Sequence, residues 1–235
     1  MIIAAALCPW PPLLVRELTG ADAVLPELRA AAAEAVAAML APGPDVVAVV
    51  GPGPRTARWP GEGRLDVAAF GGWPGRSGDT SRPVLPPAAG IGAYLLDQAG
   101  YRGPRLVWSV SEEEPAPECA RLGAGLATQG GPSQRTGLLV LGDGSARRGP
   151  RAPGYVDERA AAFDTAWQRA VRAGDLRALL GVDPALAREL MATGRPGWQV
   201  LAGACPGPLR TVQVRYAGDP FGVMYLVASL VPAAP

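Results

Sequence analysis

The sequence contains no histidine, no lysine and no asparagine, so all 22 basic residues are arginine. These absences exclude more chemistry than any motif present would establish. Without histidine there is no Ser-His-Asp or Cys-His pair, no HExxH zinc helix and no imidazole to exchange a proton near neutral pH. Without lysine there is no Walker A lysine, no Schiff base and no Ser-Lys dyad. Any chemistry falls to Asp, Glu, Cys, Ser, Thr, Tyr, Arg or backbone groups. Isoleucine is scarce too, with only Ile2, Ile3 and Ile91. Lys, Asn and Ile have A/T-rich codons, so their scarcity points to a GC-rich bacterial genome.

Cysteine is also sparse. Cys8, Cys119 and Cys205 are odd in number, widely spaced and without a CxxC, which suits a reducing cytoplasm better than a disulfide framework. Charge of either sign is diluted, with a net charge of +1. That is no electrostatic footprint for nucleic acid. No apolar run approaches the ~20 residues of a membrane span. The opening MIIAAALCPWPP has no positive flank and too short an apolar core for a signal peptide. What is abundant is apolar residues, at 49%, together with 31 glycines and 26 prolines. This is a folded chain with many built turns, and 235 residues bury a sizeable core without disulfides or metal.

Strand-like and helix-like segments alternate. Ile2–Leu7, Asp45–Val50, Arg105–Ser111 and Thr136–Leu141 read as buried strands, and Leu65–Phe70 as a weaker one. Residues 22–41 read as a helix capped by Asp22, with Pro26 in its first turn. Pro86–Ala99 and Pro117–Thr128 read as helices, and residues 71–85 as a long loop. From Val156 to about Ala204 the pattern is nearly all helical, with Asp183-Pro184 opening one helix. Thr211–Tyr216 and Met224–Val231 read as a closing strand pair around Gly218-Asp219-Pro220. The expectation is one α/β domain over residues 1–235, of three α/β/α layers around a mostly parallel sheet, its terminal strands antiparallel.

Three loops after strands stand out: Cys8–Pro12, Gly51–Thr56 and Gly142–Arg148. Open α/β sheets bind ligands at the carboxyl ends of their strands, so these loops should converge there. Neither glycine-rich loop is a good phosphate cradle: prolines remove amides from the first, and the second misses the GxGxxG spacing.

The same loops carry a family resemblance. Trp10-Pro11-Pro12-Leu13-Leu14-Val15-Arg16-Glu17-Leu18 is similar to the HPPLLVPEL-type segment of the class III extradiol dioxygenase LigB superfamily, which includes the Memo-like proteins. Val49-Val50-Gly51-Pro52-Gly53 is similar to its strand ending in SPH. Gly142-Asp143-Gly144-Ser145-Ala146-Arg147 resembles its GDLSHR loop. Phe163-Asp164 fits its GxEFD helix start, and Tyr216–Ala228 its closing YEGPFGVGYLVA segment. The matches run in the family's order from residue 2 to about 230.

The resemblance implies a LigB-like fold and an ancestral pocket. Active members hold Fe(II) with two histidines and an acid and use a further histidine as acid and base. Here Trp10, Gly53 and Ala146 stand at the histidine positions, and residues 194–199 supply no acid. A facial triad needs two imidazoles and a carboxylate. The implied iron is therefore expected to be lost, with no other cofactor or metal. The leading expectation is a catalytically degenerate homologue that binds a small molecule or a protein partner. Two enzymic alternatives stand beside it: ring cleavage at a non-standard metal site, and a metal-independent reaction using Cys8, Asp143 or Asp219, with Ser145 a further catalytic candidate. The pocket is expected to hold Trp10, Gly53, Arg55, Ala146, Arg147 and Arg148, with Trp10 a flat wall and the arginines a fork for a small anionic or aromatic ligand. Cys8 reads more readily as an inert buried thiol than as a nucleophile. Asp143 and Ser145 are equally readable as fixing their own loop. The sequence leaves a homo-oligomer open.

Overall fold

Alternate residues of the same strands face two separate cores, and that alternation builds the molecule. In a computed structural model, which describes residues 1–19, 24–72, 81–131 and 133–233, seven strands form one sheet. They are β1 Ile2–Cys8, β2 Val46–Pro52, β3 Ala57–Trp59, β4 Arg105–Val110, β5 Thr136–Leu141, β6 Leu209–Gly218 and β7 Tyr225–Pro232. Their order is β3-β4-β2-β5-β1-β7-β6. β4, β2, β5 and β1 run parallel, while β3 at one edge and β7 and β6 at the other run antiparallel to their neighbours. Ala4, Ala6, Cys8, Val47, Val49, Leu139 and Leu141 face one core. Ala5, Leu7, Ala48, Val50, Leu138 and Val140 face the other. This is the period-two register of a pleat buried on both sides.

Helices cover both faces. α1 Arg16–Thr19 is a short turn after β1, and α2 Pro26–Leu40 and α3 Pro87–Gln98 close the first core. α4 Ala116–Thr128, α5 Arg159–Ala173, α6 Pro184–Glu189 and α7 Arg195–Ala204 follow on the other side, with α4, α5 and α7 supplying much of the second core. α2 and β1 are both rich in alanine, so helix and strand approach closely. α4 and α7 approach closer still: a Cβ on Gly123 would collide with the Val200 carbonyl, and one on Gly203 with Ala120 backbone. Asp183 caps α6, accepting from the Ala185 and Leu186 amides, as the Asp-Pro pair predicts.

Three expectations need correction or comment. Leu65–Phe70 is not a strand. Asp66 accepts the Ala68 amide and turns Val67–Phe70 into a 3-10 helix, and just before it one isolated bridge forms among the described residues, Arg64 to Val84. The strand β3 was not expected, because three residues carry no readable period. The proposed cap Asp22 and residues 73–80 of the long loop lie outside the described residues; the helix is described from Pro26. Among the described residues, no helix is long and apolar enough to cross a membrane.

Candidate functional site

Because β1, β2, β4 and β5 run parallel, the residues that follow them meet at one edge of the sheet. A cleft of about 360 Å³ opens there, lined by Trp10 after β1, Pro52, Gly53 and Pro54 after β2, Pro87 and Ala88 of α3, and Ser111 and Glu112 after β4. That volume lies within the range of small-molecule pockets. Trp10 is its fixed wall. The Trp10 amide donates to Asp143 Oδ1 at 2.9 Å, and its indole Nε1 donates to Thr193 Oγ1 at 3.0 Å. The loop after β5 thus holds the loop after β1 from beneath, through the sequence-predicted Asp143.

The structure brings Trp10 and Gly53 together and leaves the other expected pocket residues outside the lining. Ala146 is buried, its amide donating to the Leu190 carbonyl. Arg55 lies over the Trp59 ring at 5.6 Å. Arg147 Nη1 donates to the Tyr155 carbonyl. Arg148 Nε donates to Asp219 Oδ2 at 2.6 Å, and its Nη1 lies 3.4 Å from Asp164 Oδ2. The expected arginine fork beside Trp10 is therefore corrected. The arginines pair with acids, a ring and a carbonyl, and the charged side chain lining the cleft is the carboxylate Glu112.

The catalytic candidates separate by burial. Cys8 is fully buried and desolvation pushes its thiol up to about 12, so it carries no thiolate at neutral pH; its nucleophilic reading is corrected to a core residue. Ser145 is also fully buried, donating through its Oγ to Asp164 Oδ2 at 2.5 Å and through its amide to Asp164 Oδ1 at 2.9 Å. It fixes its own loop. Asp219 is engaged by Arg148. Of these candidates Asp143 keeps titratable chemistry next to the cleft: desolvation raises its carboxyl to about 7, against the lowering effect of the Trp10 amide.

That shift has a sign. The folded chain holds the Asp143 proton more tightly than the unfolded chain, whose carboxyl has the ordinary value of 3.8. Stability therefore falls as pH rises from about 4 to about 7, and Asp143 weighs against the fold above that window. Asn at this position keeps an acceptor for the Trp10 amide and carries no charge. Asp143→Asn is expected to stabilise the protein by about 2 kcal/mol at pH 8, with no gain at pH 4, the full shift being discounted for partial solvent access. Melting curves of both proteins at the two pH values check this; an equal difference at both would defeat it.

The iron that the resemblance implies does not fit these residues. No group of three or more His, Cys, Asp or Glu gathers at metal-holding spacing among the described residues. Any side chain at Gly53 would begin with a Cβ 2.6 Å from the Cβ of Ser109, so even an introduced ligand would need the strands to move.

Sequence reasoning missed two residues that organise this edge. Arg195 is buried, 1% exposed, at the start of α7. It holds the loop after β4: Nη1 donates to the Glu114 carbonyl at 2.6 Å and to Gln199 Oε1 at 2.9 Å, and Nη2 donates to the Glu112 carbonyl. Glu112 stands in the cleft on that loop. Asp164, quoted in the resemblance only as a helix start, anchors Ser145, Trp167 and Arg148. The readable signals were helical spacings, Arg195 to Gln199 and Asp164 to Trp167, each placing a polar pair on one helix face.

No protein-family model matches the chain, and no curated protein matches it either. Among solved structures it is similar to an uncharacterized protein, JW3007, from Escherichia coli K12. The two superimpose with a TM-score of 0.57 at 14% sequence identity, over 97% of this chain and 99% of that one. At that identity the likeness establishes the α/β architecture.

Proposed function

We propose that this chain is a catalytically degenerate relative of the LigB-like extradiol dioxygenases that binds a small aromatic molecule in the Trp10 cleft without metal. The observation that carries the reading is the cleft itself. It lies at the carboxyl edge of the parallel strands, walled by an indole pinned at both its backbone and its ring nitrogen, with Glu112 as the charge in its lining. An aromatic ring stacks on Trp10 and packs against Pro52, Pro54 and Pro87. An amine or another donor on that ring meets Glu112, which makes a cation a better partner than the anion expected from sequence.

The test is calorimetric titration with benzylamine, tyramine and benzoate, with Trp10→Ala as control. Saturable binding of the amines, weaker binding of benzoate and loss of binding in Trp10→Ala are expected. In parallel, protein loaded anaerobically with Fe(II) is given catechol and oxygen. Stoichiometric iron with ring cleavage would overturn the degenerate reading, and absence of binding to all three probes would overturn the ligand.

A further inference from the structure

A second cleft lies at the opposite edge of the sheet. It encloses about 930 Å³ and is lined by Arg58, Gly61, Glu62, Arg82, Asp97, Arg102, Gly103, Pro104 and Arg105. Arg105 opens β4, whereas Ser111 and Glu112 of the Trp10 cleft follow its other end. The two sites are thus separated by the length of a six-residue strand, roughly 20 Å. Four guanidinium groups face two carboxylates here, and one carboxylate serves three of them. Asp97 lies 2.6 Å from Arg105, 3.5 Å from Arg102 and 3.8 Å from Arg82.

The arginines differ in how far they are committed. Arg105 is buried and saturated, donating to Asp97 and to the Tyr101 carbonyl at 3.0 Å, with its guanidinium over the Tyr101 ring. Arg82 is anchored by the Glu62 and Gly63 carbonyls through Nε and Nη2, while its Nη1 has Asp97 only at 3.8 Å. Arg102 is largely exposed and touches Asp97 at long range. The Arg58 side chain makes no hydrogen bond or ion pair among the described residues. Capping the end of α3 explains Arg105 and Arg102, whose Nη1 atoms reach the Ala93 and Asp97 carbonyls. It does not explain Arg58, nor the positive excess held in a concave surface.

We infer that this arginine-lined cleft binds a phosphate group, free or carried by a small organic molecule. A dianion offsets the excess of two positive charges, and planar guanidinium forks match its oxygens two at a time. Arg82, held from behind, is the preorganised donor; Arg58 and Arg102 close on the ligand from the rim.

The test is calorimetry at low ionic strength with inorganic phosphate, glycerol phosphate and succinate as probes. Both phosphates are expected to bind saturably with submillimolar affinity, and succinate at least tenfold more weakly. Whichever phosphate binds tighter separates a phosphoester from the free ion, and either result supports the assignment. Arg58→Ala/Arg102→Ala should weaken phosphate binding at least tenfold with an unchanged melting temperature, since both side chains are exposed. Arg55→Ala, removing an exposed arginine outside the cleft, should bind like the wild type. No saturable phosphate binding, full affinity in the double variant, or succinate binding as well as phosphate would each overturn the proposal.

Discussion

Asp164→Ala is expected to cost about 3–5 kcal/mol of unfolding free energy, the range for removing one partner of a buried charged cluster. Asp164 has no exposed surface. Its Oδ1 accepts from the Ser145 amide and from Trp167 Nε1 at 3.0 Å, and its Oδ2 from Ser145 Oγ and Arg148. Truncation leaves the amide, the hydroxyl and the indole N–H without acceptors, and each buried orphan costs about 1–3 kcal/mol. Arg148 keeps Asp219, so it is not stranded. Trp167 also stacks on Trp198, with centroids 4.1 Å apart, so loss of the Asp164 bond should reach the near-ultraviolet circular dichroism. Urea unfolding of wild type and variant measures the loss. A change below 1 kcal/mol would mean that water replaces the carboxylate and that the cluster is not closed.

Arg195→Met is expected to destabilise by about 2–4 kcal/mol, from acceptors left without a donor, and to fail in a different place. Burial pulls the Arg195 guanidinium below its ordinary range, yet it is held by carbonyls and an amide oxygen rather than by a carboxylate. Met fills similar space and supplies no donor. The Glu112 and Glu114 carbonyls lose their partner, and the loop after β4 loses its tie to α7. Gln199, whose Nε2 donates to the Val182 carbonyl at 3.2 Å and reaches those of Leu179 and Leu180, loses its hold on Arg195. Cleavage by a Glu-specific protease should therefore begin at residues 112–114 in Arg195→Met and not in Asp164→Ala. Equal proteolysis in both variants would show that the destabilisation is global.

These two residues also mark how far the sequence can be read. The four parallel strands were legible because burial on both faces makes a short, unbroken apolar run, and Pro and Gly punctuate its ends. The helices at Pro87, Ala116 and Pro184 were legible for the same local reasons. β3 was not, because Ala57–Trp59 becomes a strand only by pairing with β4. At the cleft, convergence of Trp10 and Gly53 followed from parallel topology. The direction of Arg148 did not, since it depends on Asp164 and Asp219, acids 16 and 71 residues away. The buried Arg195 shows locally only its spacing to Gln199, because its other partners are carbonyls of a loop more than eighty residues away.

The position of β1 has a consequence in time. It pairs with β5 and with β7, where Ala5 lies opposite Leu230. On a ribosome adding about 5–20 residues per second, roughly 10–45 s separate the synthesis of these partners. Until β5 is made this alanine-rich strand has two unsatisfied edges, and until β7 follows it keeps one, near the middle of an incomplete sheet. Closing it joins segments far apart in sequence, which makes folding slow for the chain's size. Nascent chains released before residue 225 would therefore expose the β1 edge, and they, rather than the finished protein, should be the species that chaperones retain.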